Sequence, residues 1–163
     1  MIAHTVQQYL HQQGVQYDVI THPARNTSYS KAIASHIPPN QMIKAVLLVD
    51  LRDSLALVLI PADRMLSLFH LKRETKRQFR LAIESEIQRV FYDCVPGAIP
   101  AFGNAYHLET LIDEKLMHKP QLYFESGDQR QVLQLTQAQF KQLTKDCQRG
   151  GYSVMPDLCP QFS

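Results

Sequence analysis

KAVLLVDLRDSLALVLI, residues 44–60, is the most apolar stretch of this 163-residue chain. Two aliphatic runs, residues 44–50 and 54–60, are joined by the short link Leu51-Arg52-Asp53. Near-continuous apolar runs are typical of strands that are covered on both faces, and a link this short predicts an antiparallel hairpin. We therefore expect this hairpin to lie at the centre of the hydrophobic core.

Weaker patterns on both sides of the hairpin alternate between helix and strand signals. Apolar residues at helical spacing predict helices over residues 2–13, 29–36, 62–70, 84–91 and 137–147. Runs with strand character lie over residues 15–19, 106–112, 121–125 and 132–135. Together these patterns predict an α+β fold with a mixed, mostly antiparallel sheet that curls toward a barrel and is flanked by helices.

Length and composition are those of an ordinary globular protein. A chain of this length suits one domain, which we assign to residues 1–149, followed by a loosely ordered tail over residues 150–163. The net charge of +2 is too small to mark a general nucleic-acid binder. No apolar run approaches the ~20 residues of a membrane span. Three cysteines without a C-x-x-C pair indicate free thiols in a reducing cytoplasm.

One stretch concentrates positive charge between residues 71 and 80. Its basic residues are Lys72, Arg73, Lys76, Arg77 and Arg80. If the stretch is helical, Lys72, Lys76 and Arg80 share one face at i+4 spacing. Two interpretations stay open, a solvated surface and a patch that contacts nucleic-acid phosphates.

A glycine–proline loop follows the fourth predicted helix. The loop is Val95-Pro96-Gly97-Ala98-Ile99-Pro100-Ala101-Phe102-Gly103. Prolines fix φ and lack an N–H, whereas glycines permit positive φ and let another group approach the backbone closely. Such a loop can form a pocket wall from main chain, and the alternative is a connection without chemistry.

Lys44 opens the first aliphatic run, where a lysine is rarely placed unless its amine reaches water or is paired. The residues alone leave two interpretations open. The amine of Lys44 either reaches bulk water at the strand end, or lies at the mouth of a pocket and faces a carbonyl, carboxylate or phosphate group.

Familiar catalytic signatures are absent from the sequence. There is no G-x-S-x-G, no HExxH, and no glycine-rich nucleotide-binding motif, and the scattered histidines predict no metal site. Cys94 has no nearby histidine, so a buried structural thiol is a better interpretation than a nucleophile.

Ile43-Lys44-Ala45-Val46-Leu47-Leu48, together with the later Gly97–Gly103 segment, resembles the YbaK-like aminoacyl-tRNA deacylases. These are free-standing relatives of the editing domain inserted in bacterial prolyl-tRNA synthetase. Members commonly show a lysine opening a central strand and a loop of the form G-A-V-P-P-F-G. Leu111-Ile112-Asp113-Glu114 and Phe124-Glu125-Ser126-Gly127 are similar to later strand-end motifs of the family. The resemblance covers residues 1–145, and Ala101 departs from it where a second proline is frequent.

The resemblance implies hydrolysis of the ester that joins a wrong amino acid to the terminal adenosine of a tRNA, with no metal and no cofactor. It implies a catalytic role for Lys44, which would anchor the carbonyl or terminal phosphate, and for the main chain at Gly97. The implied substrate-binding residues are Ala98, Ile99, Pro100, Phe102, Gly103, Asp113, Ser126 and Gly127. The family is thought to use the ribose hydroxyl of the substrate to help activate water. A small amino acid (alanine, cysteine or serine) is expected, because a hydrophobic pocket separates ligands by only ~1–3 kcal/mol per methylene.

The implied partner is mischarged aminoacyl-tRNA, which the basic residues 72–80 would contact, and an aminoacyl-tRNA synthetase is a further candidate. Neither a membrane nor DNA is implied. Two other functions stay open. One is a non-catalytic module that keeps the pocket and recruits tRNA or a synthetase, and the other is a hydrolase of a small ester or nucleotide-linked acyl group.

Overall fold

The structure is a computed structural model that describes residues 1–25 and 27–156. Helices within these residues are α1 (His4–Gln12), α2 (Ser28–Ala34), α3 (Leu68–Thr75), α4 (Glu84–Val90) and α5 (Gln137–Leu143). The strands are β1 (Asp18–Thr21), β2 (Ile43–Asp50), β3 (Leu55–Pro61), β4 (Met65–Leu66), β5 (Phe79–Leu81), β6 (Glu109–Asp113), β7 (Gln121–Glu125), β8 (Gln131–Thr136), β9 (Gln148–Gly150) and β10 (Ser153–Val154). The longest described helix has nine residues, so none of them reaches across a bilayer.

The predicted hairpin is confirmed by the pairing of β2 with β3. These strands run antiparallel, with Lys44 opposite Ile60 and Val49 opposite Leu55. They occupy the middle of a five-stranded sheet of order β5-β2-β3-β6-β9, in which β6 and β9 add in parallel. Two antiparallel sheets, β1-β8-β7 and β10-β4, complete the fold. The α+β prediction is therefore confirmed, although the described strands form three sheets rather than one closed barrel.

Both faces of the hairpin are buried, as its apolar runs predict. Alternate residues of a strand point to opposite faces. Leu47, Leu57 and Leu59 accordingly join a core that includes α1 and α5, while Leu48 and Ile60 join a second core on the other face. Each such side chain contributes roughly 1.5–3 kcal/mol when it is fully buried. The strand that carries Lys44 as its second residue is thus packed on both faces.

Residues 150–154 are folded, although a loosely ordered tail was predicted from residue 150. The Tyr152 ring is fully buried, and β10 pairs with β4. The Asp113 carboxylate accepts hydrogen bonds from the Tyr152 N–H (3.1 Å) and the Ser153 hydroxyl (2.7 Å). One buried aromatic ring and one buried carboxylate therefore fix a segment that its glycines and prolines had marked as loose. Residues 157–163 lie outside the described residues.

The basic stretch does not form one helical face. The helix expected over residues 62–70 is instead α3, which begins at Leu68 and ends at Thr75. Lys76 follows in the left-handed conformation with a φ of 60°, and Arg80 lies on β5. The shared face of Lys72, Lys76 and Arg80, which required one helix through all three, therefore does not form, because the helix ends at Thr75.

Candidate active site

Lys44 and the glycine–proline loop meet at one cavity of about 250 Å³. The cavity lies where the start of α2, the first residues of β2 and the loop come together. Its lining residues are Thr27, Ser28, Tyr29, Lys44, Ala45, Ala62, Gly97 and Ile99. The fold thus brings together three of the residues that the sequence singled out, namely Lys44, Gly97 and Ile99.

The loop begins with a tight turn at Val95–Ala98. Pro96 and Gly97 are the central residues, Gly97 has a φ of 82°, and the Ala98 N–H donates to the Val95 carbonyl at 3.1 Å. This arrangement fits a type II β-turn, which favours proline followed by glycine at those positions. The Ala98 N–H is therefore used within the turn. The N–H groups of Gly97 and Ile99 make no hydrogen bond within residues 1–25 and 27–156.

Neighbouring elements hold the turn from behind. The Val95 N–H donates to the Gly127 carbonyl at 2.8 Å, and the Gln129 side-chain amide donates to the Pro96 carbonyl at 2.8 Å. Gly127 has a φ of 92°, and a Cβ there would lie 2.6 Å from the Cβ of Ala3. The hairpin between β7 and β8 therefore needs a glycine at this position, and it fixes where the loop stands.

Three residues of the predicted binding set support the fold around the cavity rather than line it. The Ser126 hydroxyl donates to the Gln131 carbonyl at 2.8 Å, which closes the β7–β8 hairpin. Gly127 holds the start of the loop through its carbonyl. Asp113 uses its carboxylate on Tyr152 and Ser153, in the C-terminal part of the fold.

The second half of the loop packs into the core. Pro100 and Phe102 are buried, and the Phe102 ring stacks on Phe124 with centroids 4.8 Å apart. A Cβ at Gly103 would lie 2.0 Å from the Thr110 hydroxyl oxygen, so this glycine allows a close approach of two segments. Ala101 is also buried beside Phe102. These residues anchor the loop, and the cavity lining among the described residues does not include them.

A buried ion pair that the sequence analysis missed lies behind the cavity. The Lys31 ammonium on α2 contacts the Glu125 carboxylate at the end of β7, and both side chains are almost completely buried. Lys31 Nζ also donates to the Gly97 carbonyl at 3.3 Å, and the Ser28 hydroxyl donates to Glu125 Oε1 at 2.9 Å. Burial raises the pKa of the Glu125 carboxyl, while the Lys31 charge and the hydrogen bonds from Lys31 and Ser28 act against that rise.

Two of the five predicted tRNA-contacting residues are engaged in ion pairs. Arg77 contacts Asp50 at 3.0 Å and Glu109 at 2.8 Å. Arg80 contacts Glu86 at 2.9 Å. The remaining three, Lys72, Arg73 and Lys76, are exposed and make no ion pair within the described part of the chain.

Cys94 lies in a polar but half-buried environment. Its thiol is 3.3 Å from the Tyr106 hydroxyl and 3.5 Å from Asp93 Oδ1. Burial is the main cause that raises the pKa of Cys94 to about 12. A thiol in this state is a poor nucleophile, since the thiolate is the reactive form. Within residues 1–25 and 27–156, no group of three or more histidine, cysteine or acidic side chains is arranged to hold a metal ion.

We predict that Cys94 resists alkylation in the folded protein. At pH 8 a pKa of about 12 leaves roughly a thousandfold less thiolate than the ordinary value near 8.5. Iodoacetamide should therefore modify Cys94 at least about a hundredfold more slowly than it does in the urea-unfolded chain. Peptide mass spectrometry resolves the cysteines, and equal rates in both states would contradict the assignment.

The sequence profile of the aminoacyl-tRNA editing domain family matches residues 18–143. The chain belongs to this family. The match runs from β1 to the end of α5 and so includes the cavity, the loop and the buried ion pair of this editing domain. No curated protein sequence matches the chain.

Solved structures share the fold of this editing domain. A "putative trans-editing enzyme for prolyl tRNA synthetase" has a TM-score of 0.81 at 23% identity, with 93% of this chain and 96% of that chain covered. The hypothetical protein APE2540 has a TM-score of 0.81 at 17% identity, with 92% of this chain and 99% of that chain covered. A "putative signal transduction protein" from Marinobacter aquaeolei VT8 gives 0.76 at 22% identity, with 92% of this chain but only 30% of that chain covered. At identities of 17–23%, the similarity to these structures supports a shared fold only.

Proposed function

We propose that this editing domain acts in trans as a deacylase, which hydrolyses the ester between a small, wrongly attached amino acid and the terminal adenosine of a tRNA. The observation that carries the proposal is that Lys44, Gly97 and Ile99 line one cavity, and that the Gly97 and Ile99 N–H groups make no hydrogen bond among the residues that the structure describes. A solved structure with the same fold is named a "putative trans-editing enzyme for prolyl tRNA synthetase", and that name supports action in trans. The proposed partner in the cytoplasm is mischarged tRNA, with a synthetase as a further one.

The proposed reaction needs little from the protein beyond positioning and electrostatics. Water attacks the ester carbonyl carbon, the bond to the ribose oxygen breaks, and that oxygen takes up a proton. An aminoacyl ester is already activated, so orientation and stabilisation of developing charge supply much of the rate. The Gly97 and Ile99 N–H groups would donate to the carbonyl oxygen as it becomes negative. Lys44 would hold the carbonyl or the terminal phosphate as a point charge.

The size of the cavity supports a small amino acid as the substrate. About 250 Å³ is below the ~300–1,000 Å³ of pockets that hold drug-sized ligands. Ala45, Ala62 and Ile99 supply its apolar lining. The side chains of alanine, cysteine and serine leave most of this volume to the rest of the aminoacyl ester.

Hydrolysis of mischarged tRNA by the purified protein tests the proposal. We expect tRNA carrying alanine, cysteine or serine in error to lose its amino acid at least about tenfold faster with the protein than without it. Correctly charged tRNA with a large amino acid serves as the matched control and should stay charged. Binding of tRNA without any hydrolysis would instead favour the non-catalytic module.

We predict that the exposed basic residues contribute to tRNA binding. The triple change Lys72→Glu, Arg73→Glu and Lys76→Glu should weaken tRNA binding and reduce its salt dependence, by roughly 0.7–0.9 in log–log slope for each phosphate that the protein no longer neutralises. Titration of tRNA at several salt concentrations measures that slope. The matched control is Lys115→Glu, since Lys115 is an exposed lysine outside this stretch. An unchanged slope would assign the stretch to solvated surface.

A further inference from the structure

We propose that the Ser28 hydroxyl oxygen binds the α-ammonium group of the substrate, and that the buried Lys31–Glu125 pair prepares it for this role. The inference rests on the proposed function, because it assigns a part of the same aminoacyl ester to another wall of the same cavity. It makes Ser28 a specificity-determining residue and makes Lys31 and Glu125 positioning residues.

Glu125 fixes the hydrogen of the Ser28 hydroxyl. An ionised carboxylate only accepts hydrogen bonds, and a serine hydroxyl has one hydrogen and two acceptor lone pairs. The Ser28 hydroxyl donates its only hydrogen to Glu125 Oε1 at 2.9 Å, on the side that faces the buried carboxylate. Ser28 lines the cavity, and its hydroxyl has only lone pairs left to offer there. The site on this wall therefore accepts from a donor, and a cationic donor forms the strongest such bond.

Lys31 keeps Glu125 in the state that this arrangement needs. A carboxylate buried without a partner would take up a proton, and a protonated Glu125 could donate to Ser28 instead. The Lys31 ammonium contacts Glu125 Oε2 and leaves Oε1 for Ser28. Lys31 also donates to the Gly97 carbonyl, so one ion pair positions both Ser28 and the turn that carries the Gly97 N–H.

The other hydroxyl groups of the cavity are less suited to this role. Thr27 Oγ1 donates to Ser30 Oγ at 2.8 Å and accepts from the Ser30 N–H at 3.0 Å, so it is used in the cap of α2. Tyr29 is about half exposed. Lys44 carries a positive charge and so repels an ammonium group. The α-ammonium is therefore best placed at Ser28, with the ester carbonyl directed to Lys44 and the turn that carries Gly97.

The inference predicts selectivity for a free α-amine. An ester of an α-hydroxy acid lacks the cationic donor, and an N-acylated amino acid has lost its charge. Both should bind less well than the aminoacyl ester of the same size. A hydrogen bond to a charged group is strong enough to change affinity roughly tenfold or more.

Binding of two non-hydrolysable adenosine analogues tests this inference without relying on turnover. Alanine and lactic acid are each linked through an amide to 3′-amino-3′-deoxyadenosine, and their dissociation constants are measured by calorimetry at pH 6.5, where an α-amine is protonated. The unaltered protein should bind the alanyl analogue about tenfold more tightly. Ser28→Ala should bind both equally, and Ser28→Thr should restore the preference. The double variant Lys31→Met with Glu125→Leu should also lose it.

Three results would overturn the inference. The first is equal affinity of the unaltered protein for the two analogues. The second is a preference for the alanyl analogue that persists in Ser28→Ala. The third is a loss of affinity in Ser28→Ala that depends on the ribose 2′-hydroxyl, as a 2′-deoxy analogue would show, instead of on the amine. The outcome is separable from that of the proposed function. A Ser28-dependent preference without hydrolysis of mischarged tRNA would refute the deacylase alone, and hydrolysis without a preference would refute the role of Ser28 alone.

Discussion

Lys31→Met is expected to lower the free energy of unfolding by about 3–5 kcal/mol, as the removal of one partner from a buried ion pair does. The side chain of Glu125 has an exposed fraction of only 2%, so its carboxylate would lose its cationic partner where water does not replace it. Urea unfolding followed by circular dichroism at pH 7 measures the change. A loss below about 1 kcal/mol would mean that the pair is far better solvated than the structure shows.

The matched control removes both charges together. Lys31→Met combined with Glu125→Leu leaves no unpaired ion, so most of the lost stability should return, since such replacements are often neutral or stabilising. The pH dependence has a defined sign. The folded-state pKa of Glu125 is raised above its ordinary value of 4.5, so its contribution to stability is present below pH 4.5 and is lost as the pH rises through the folded-state pKa. Lys31→Met removes the positive charge beside Glu125 and so raises that pKa further. The variant should therefore lose more free energy of unfolding at pH 8 than at pH 5.

Lys44→Ala is expected to abolish measurable deacylation of mischarged tRNA while the protein stays folded. Loss of one electrostatic contact to developing charge typically costs ~10²–10³ in rate. The Lys44 side chain is exposed, so its removal costs the core little. Single-turnover hydrolysis with protein in excess measures the rate, and thermal unfolding verifies the fold.

Lys141→Ala is the matched control for Lys44. Lys141 is an exposed lysine on α5, away from the residues that line the cavity. The control variant should keep the rate of the unaltered protein within about twofold. A deacylation rate in Lys44→Ala equal to that of the unaltered protein would show that Lys44 has no part in the mechanism.

The central hairpin could be predicted because its signal is local and strong. Residues 44–50 and 54–60 are apolar on both strand faces, and the observed strands are buried on both. The meeting of Lys44 with Gly97 followed from the family resemblance rather than from spacing. Sequence separation alone carries no information about that contact, which depends on how the loop packs against β2.

The buried ion pair could not be predicted, because the residues around Lys31 and around Glu125 do not mark either charge as buried. Lys31 is the single charged residue of a short helix, and Glu125 lies next to a turn, where charged residues are common. Only the packing of α2 against the end of β7 buries both. The helical face considered for the basic stretch does not form for another reason. Its i+4 pattern favours a helix, but Lys76 adopts the left-handed conformation and pairing with β2 draws residues 79–81 into a strand.

Backbone amide shifts of the ¹⁵N-labelled protein, titrated with the alanyl-adenosine amide analogue, test most directly whether the aminoacyl end enters the cavity between Lys44 and the turn. We predict that the amides of Gly97 and Ile99 show the largest changes, because they would donate to the carbonyl group of the ligand. A depression of about 610 Å³, lined by glutamines that include Gln7, Gln16 and Gln134, lies elsewhere on the surface. The largest changes at that depression, with Gly97 and Ile99 unaffected, would contradict the account.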